Sequence, residues 1–347
     1  MNTQSLARGP PDRDAAFREV TILRVIRYAR YGDPQEVVEV VDQPPLVPGP
    51  GEVVIALEAA PVHLADLKNI AGQPWFRAPL PAVPGYEGVG RIKSVGTGVS
   101  NVALADRVFL PTGLGAWREE FLAPAAGLWR APEAVAAEQL ALIPINLQTA
   151  YLMLREDASL RPGDWIIQNA ANSNVGYYVI RLARRFGLRT INVARRAEVL
   201  SGLDDAGGDI ALLDGDDLAE RVVRTGQNVR LAIDAVAGSG TARLADCLGP
   251  GGRIVNYGFL TSDICAVPAQ QMMFRQITLS GFFTKASMAR MDDAAIAGMR
   301  EELTAFLHED VPAAPIAGVY PFSRVHDALA HAACTGDGRE GKVVLVP

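Results

Sequence analysis

The feature that most constrains this chain runs from Gly163 to Arg196, GDWIIQNAANSNVGYYVIRLARRFGLRTINVARR. Trp165, Ile166 and Ile167 form a short apolar run between the turn Pro162-Gly163-Asp164 and the polar pair Gln168-Asn169. Such a run suits a strand buried on both faces. Val175, Val179, Leu182, Ala183 and Phe186 then recur at helical spacing, and Gly187 supplies a helix stop. Thr190, Ile191, Asn192 and Val193 form a second β-rich run. Strand, tight turn, helix and strand make a βαβ unit, and its first turn is where a dinucleotide pyrophosphate would sit.

That turn is Ala171-Asn172-Ser173-Asn174-Val175-Gly176. It has the spacing of G-x-G-x-x-G, with Ala and Ser in place of the first two glycines. As a bare pattern it is weak. Its place between strand and helix favours phosphate binding over an ordinary polar loop, because helix N-terminal N–H groups attract phosphate. Gly176 would let helix and strand approach closely. An NAD site would place Asp or Glu at the end of the second strand. Here that strand runs into Arg195 and Arg196. Two guanidiniums and no carboxylate favour a ribose 2′-phosphate, and so NADPH.

At 347 residues the chain exceeds the usual limit of a single core, so two domains are expected. A net charge of −6 with no long basic run argues against nucleic acid or an anionic membrane as the main partner. No apolar stretch is long enough to span a bilayer. Cys247, Cys265 and Cys334 are scattered and odd in number, so neither a disulfide framework nor a metal cluster follows. Inert thiols in a reducing cytoplasm are the expectation.

Residues 1–19 read as a disordered leader rather than a secretory signal. From residue 20 to about 121 the signals are short strands and turns: 21–28, 37–41, 52–59, 89–95, 106–109 and 117–122. That spacing suggests a partly closed antiparallel β domain. Residues 132–154 read as helices. Beyond Arg196, helices alternate with strands at 210–213, 231–236, 253–257 and 277–283, with the turn Gly249-Pro250-Gly251-Gly252 closing a helix. Such alternation means a parallel, doubly wound α/β sheet. Residues 292–308 form a helix and 342–346 return to β character. The expected architecture is a Rossmann-type domain, 146–288, inserted into a β domain made of 20–145 and 289–347.

The segments LPAVPGYEGVGRIKSVG (80–96), INLQTAYLML (145–154), RPGDWIIQNAANSNVG (161–176), LRTINVARR (188–196) and GKVVLVP (341–347) together resemble the medium-chain dehydrogenase/reductase superfamily. Residues 146–196 look most like its NADPH-dependent 2-enoyl thioester reductases of the mitochondrial type. The resemblance implies a GroES-like substrate domain, a cleft between the domains, homodimers paired through the cofactor-domain sheet, and hydride transfer. Zinc members of the superfamily carry a Cys near the position of His63 and a His in a Gly-His-Glu turn. Here the turn is Gly85-Tyr86-Glu87. One His without a Cys partner is a poor zinc site, so a zinc-free enzyme is expected. His63 is as readily a packed histidine as a catalytic one.

The thioester reductases carry a catalytic Tyr in the loop that here spans Ile70 to Pro81. This loop has none; the matching position is Pro74, beside Trp75. Tyr86 in the neighbouring turn could donate a hydrogen bond to a developing oxyanion. Alternatively, Tyr86 and Trp75 only shape an aromatic pocket. The resemblance also places Thr149, Tyr257, Gly258, Phe282, Phe283 and Lys342 near the cofactor, along with the turn residues Asn172 to Gly176. Arg77, Lys68 and Arg290 are candidates for a basic cleft mouth. The implied reaction is reduction of a C=C bond conjugated to a carbonyl in a small substrate, an enoyl thioester linked to CoA or a carrier protein. Two alternatives stay open: a quinone or enone reductase, and an NADPH-binding sensor or partner protein that has lost its acid.

Overall fold

The computed structural model describes residues 22–156, 160–309, 314–334 and 341–347; the expected leader lies outside them. A small antiparallel hairpin comes first, β1 (Leu23–Tyr28) on β2 (Val38–Gln43). Five strands follow: β3 (Glu52–Val62), β4 (Val89–Val95), β5 (Arg107–Phe109), β6 (Glu120–Pro124) and β7 (Trp129–Arg130). The central block holds β8 (Trp165–Gln168), β9 (Arg189–Ala194), β10 (Ile210–Leu213), β11 (Val229–Asp234), β12 (Leu248–Asn256) and β13 (Thr278–Gly281). The chain then returns to the first sheet as β14 (Ile316–Pro321) and β15 (Lys342–Val346).

The central sheet is parallel with order β10-β9-β8-β11-β12-β13. Its direction of winding reverses between β8 and β11, which opens a crevice beyond their carboxyl ends. The strands bury both faces. Ile166, Leu231, Ile233 and Val255 join one apolar cluster, while Ile167, Ala232 and Ile254 join another. This is period-two alternation between two covered faces, and it explains why the runs read as continuously apolar.

The other sheet has order β14-β15-β3-β4-β5-β7, with β6 also on β3. It is antiparallel except for β14 and β15, which are parallel and enclose the helix Val325–Ala333. That helix, the strand β14 and the helix Leu64–Ile70 lie beyond what periodicity alone suggested. The core is continuous between the sheets: Ala59, Val89, Phe109 and Trp129 pack in one cluster with Leu147, Ile166 and Val179.

Several boundaries differ from the sequence reading. The strand expected at 117–122 begins at Glu120; the Trp117 carbonyl instead accepts the Ile26 N–H of β1 (2.9 Å), and its buried indole donates to the Pro61 carbonyl (3.1 Å). The glycine-rich turn at 249–252 does not interrupt β12; a register shift in β11 between Val229 and Leu231 absorbs it. The division expected at 145/146 falls in the first turn of the helix Pro144–Arg155.

Candidate functional site

The turn after β8 carries the first half of the site. Ser173 caps the helix Asn174–Arg185, and its hydroxyl accepts the Gly176 N–H at 3.1 Å. A Cβ on Gly176 would lie 2.2 Å from the Ala171 carbonyl oxygen, so only glycine fits there. Ala170 bends the chain with a φ of 47°. Asn172 is exposed and Val175 is buried in the core, which leaves backbone N–H groups and short side chains at the helix N-terminus. The buried Asn174 Nδ2 has no hydrogen-bond partner among the described residues. A free donor and a close-approach glycine at a helix start fit a pyrophosphate.

Behind the turn lies a buried polar network that the sequence did not reveal. Asp234 ends β11 and is wholly buried. Its carboxylate accepts from Asn169 Nδ2 (2.6 Å), Thr241 Oγ1 (2.6 Å) and Asn256 Nδ2 (3.1 Å). The N–H groups of Val236 and Ala237 add two more bonds. This knot ties the carboxyl ends of β8, β11 and β12 together at the crevice. At the end of β9, Arg195 is exposed and has no hydrogen-bond or ion-pair partner among the described residues. Arg196 reaches Glu198 at 3.3 Å.

The other positions carried by the resemblance fall on several elements. Thr149 is buried, and its hydroxyl shares a 2.6 Å hydrogen bond with that of Thr284. Tyr257 lies beside Ser173, and burial pushes its phenol up to about 12 against the Ser173 hydrogen bond. A Cβ on Gly258 would lie 2.8 Å from the Ala235 carbonyl. Phe282 donates its N–H to the Asn256 carbonyl (2.7 Å), while Phe283 is largely exposed. Lys342 opens β15, and the next residue, Val343, pairs with Val62 beside His63.

The second half of the site is built on the helix Leu64–Ile70 and the turn Gly85-Tyr86-Glu87. His63 Nε2 lies 2.7 Å from Glu87 Oε1. The other Glu87 oxygen accepts the Ile145 N–H at 2.6 Å, at the start of the helix that carries Thr149. Asp66 is wholly buried and accepts from the His63 N–H (2.8 Å) and the Gly85 N–H (2.9 Å). Burial raises its carboxyl to about 6, against the opposing pull of His63 and the two N–H groups. One turn further on, Asn69 donates to the Tyr86 oxygen at 3.3 Å and accepts from the Tyr28 hydroxyl. Burial is the main reason the Tyr86 phenol is raised; Asn69 opposes it and Asp66 adds to it.

This donor set does not fit zinc. His63 is committed to Glu87, and the Tyr86 oxygen is held by Asn69. Among the described residues no three His, Cys, Asp or Glu side chains gather as metal ligands.

Trp75 calls for a correction. It sits on the short 3-10 helix Pro74–Phe76 and is 96% exposed, so it shapes no pocket with Tyr86. Its neighbour Phe76 faces inward instead. The Phe76 ring is 6.1 Å from that of Phe259, across from the loop after β12, and Lys68 Nζ lies over both. The three candidate cations do not converge. Arg77 donates to the Gly72 carbonyl (2.7 Å) and stacks near Tyr31. Arg290 pairs with Glu156 (3.0 Å).

Comparison with known proteins agrees with this architecture. Residues 49–133 match the alcohol dehydrogenase GroES-like domain family, and residues 174–297 match the zinc-binding dehydrogenase family. The chain is 34% identical to the mitochondrial enoyl-[acyl-carrier-protein] reductase of Bos taurus over 277 residues, 78% of this chain and 74% of that one. It is 32% identical to the Homo sapiens protein over the same shares. In fold it is similar to an enoyl thioester reductase of Candida tropicalis, at 21% identity and a TM-score of 0.82 over 94% of this chain and 100% of that one. A mycobacterial quinone oxidoreductase aligns over the same shares at 26% identity and a TM-score of 0.77. The shared two-domain fold, the dinucleotide turn and the identity over most of the chain lead to one conclusion: this chain belongs to the medium-chain dehydrogenase/reductase superfamily, in its family of mitochondrial-type enoyl-[acyl-carrier-protein] reductases.

Proposed function

We propose that this chain reduces a C=C bond conjugated to a carbonyl, in an enoyl thioester, using NADPH and no zinc. The observation that carries this reading is the 34% identity with an enoyl-[acyl-carrier-protein] reductase over 78% of this chain. NADPH, when bound, supplies the hydride that adds to the β-carbon of the substrate. The Ser173–Gly176 turn holds the pyrophosphate, and Arg195 and Arg196 hold the 2′-phosphate. Thr149, Tyr257, Gly258, Phe282, Phe283 and Lys342 line the cofactor side of a cleft between 146–288 and the segments 20–145 and 289–347.

Negative charge gathers on the carbonyl oxygen as the β-carbon is reduced. Tyr86 donates its proton in a hydrogen bond to that oxygen, and a proton from an acid or water completes the α-carbon. His63 and Glu87 anchor the Tyr86 turn to the helix that carries Thr149. The acyl-carrier-protein named in the relatives supports a substrate linked to CoA or a carrier protein. A homodimer through β13 is supported by that strand's place at the sheet edge and by exposed Met273, Phe274, Leu279 and Phe283 beside it. No helix among the described residues is long and apolar enough to cross a membrane. Three free cysteines support a reducing compartment such as the cytoplasm, while the relatives carry "mitochondrial" in their names.

A quinone or enone substrate is the second reading. It is favoured by Pro74 where the thioester reductases have a tyrosine, and by the likeness to the mycobacterial quinone oxidoreductase. The test is NADPH consumption with a medium-chain enoyl thioester, a simple quinone and an enone side by side, with NADH as control. Turnover of the thioester with NADPH sustains the main reading. Turnover of only the quinone or enone moves the chain to the second. Tight NADPH binding with no turnover of any of them points to a sensor.

A further inference from the structure

The hydrogen bonds around Tyr86 have a direction that can be worked out from their far end. Tyr28 is wholly buried, and burial pushes its phenol up to about 12, with Tyr31, Tyr86 and Asp66 adding to the effect. It therefore stays protonated at neutral pH and needs an acceptor. That acceptor is Asn69 Oδ1. With its oxygen taken, the Asn69 amide presents its nitrogen to Tyr86, and Asn69 Nδ2 donates to the Tyr86 oxygen at 3.3 Å. Tyr86 is thus the acceptor in this bond. Its own proton has no acceptor among the described residues, although the residue is half-buried.

We propose that Asn69 is a positioning residue for reduction: oriented by Tyr28, its amide occupies a lone pair of the Tyr86 oxygen and leaves the Tyr86 proton to the substrate carbonyl oxygen. This rests on the reading of Tyr86 as the oxyanion donor. Asn69 and Asp66 share the helix Leu64–Ile70, three residues apart, and so meet the Tyr86 turn together. Asp66 fixes the backbone of that turn through the Gly85 N–H, and Asn69 fixes the phenol. The bond from Asn69 is long, as such bonds often are without substrate, and it tightens as the phenol oxygen gains negative charge.

The discriminating variant is Asn69→Asp. It keeps the shape of the side chain but replaces the donor with an acceptor. Its carboxylate accepts the Tyr86 proton and withdraws it from the substrate. We expect kcat to fall about 100-fold, the loss typical of one oxyanion donor, with KM and NADPH affinity little changed. Tyr86→Phe should show the same loss, and the double variant no further loss. Asn69→Leu, which offers neither donor nor acceptor, should lose about tenfold, because the phenol becomes free to turn. A second readout does not depend on turnover. Titration of phenolate absorbance, with Tyr86→Phe as the subtraction control, should show Tyr86 ionising at higher pH in Asn69→Leu, since the donor that favours the phenolate is lost.

Wild-type kcat in both Asn69 variants, with Tyr86→Phe impaired, overturns the proposal and leaves Tyr86 as the donor. Wild-type kcat in Tyr86→Phe overturns that reading and the proposal together. If Asn69→Asp does not fold, Asn69→Leu decides: an unmoved Tyr86 titration overturns the proposal.

Discussion

The Lys68 ammonium lies 3.9 Å from the centre of the Phe259 ring, and so joins the helix Leu64–Ile70 to the loop that follows β12. The Phe76 ring centre is 5.5 Å from the same ammonium, and the two rings are 6.1 Å apart. Desolvation by burial lowers the Lys68 pKa. The contact joins the helix that carries Asp66 and Asn69 to the segment after β12, and so helps to hold the two together. A cation over an aromatic ring contributes about 0.5–2 kcal/mol. Lys68→Met keeps the apolar stem and removes the charge. We expect KM for the substrate to rise about threefold to tenfold with little change in kcat, measured by steady-state kinetics; an unchanged KM would show that the contact does not serve substrate binding.

Arg195 and Arg196 stand where the cofactor's ribose is expected, and Arg195 has no partner among the described residues. A hydrogen bond to a charged group contributes about 1.5–3 kcal/mol. Arg195→Ala should therefore weaken NADPH binding by about tenfold or more and leave NADH binding nearly unchanged. Fluorescence titration with both cofactors reads the ratio directly. Equal losses for the two would place the 2′-phosphate elsewhere.

Gly176 is required by distance rather than by conformation. Its Cβ would stand 2.2 Å from the Ala171 carbonyl oxygen, and backbone must shift to admit it. Gly176→Ala should cost about 1–3 kcal/mol of stability and weaken NADPH binding, because the helix start moves away from the strand. Thermal melting with and without NADPH measures both. A variant as stable as the parent would mean that the helix can slide without loss.

Asp66 makes stability depend on pH in an unusual direction for a carboxylate. Burial raises it from 3.8 to about 6 in the folded state. Between those values the folded chain holds more protons than the unfolded chain, so stability falls as pH rises from about 4 to about 6. The loss is on the order of 3 kcal/mol if Asp66 acts alone. Asp66→Asn removes this ionisation, and its denaturation midpoint should lack the decline across that window. A parallel decline in the variant would assign it to other groups.

The sequence by itself determined the central sheet and its turn. Ile166, Ile167, Ile191 and Ile233 sit in short apolar runs separated by helical periods, and only a parallel sheet covered on both faces buries them all. Local order also placed Ser173 and Gly176 in the turn after β8 and the two arginines just after β9, because each stretch is short and adjoins a single strand. The polar half of the site was not legible in this way. Tyr28 meets Asn69 across 41 positions, His63 meets Glu87 across 24, and Asn169 meets Asp234 across 65. Nothing in residue spacing signals such pairs. They arise because folding buries polar groups that must then find partners wherever the sheets and helices bring them. Trp75 shows the same limit from the other side: its place beside Pro74 suggested a pocket wall, but its short helix turns it to solvent and sets Phe76 against Phe259. Tertiary packing, not local pattern, selects which of two adjacent aromatics finds a partner, because only the folded surface offers one of them a ring to meet.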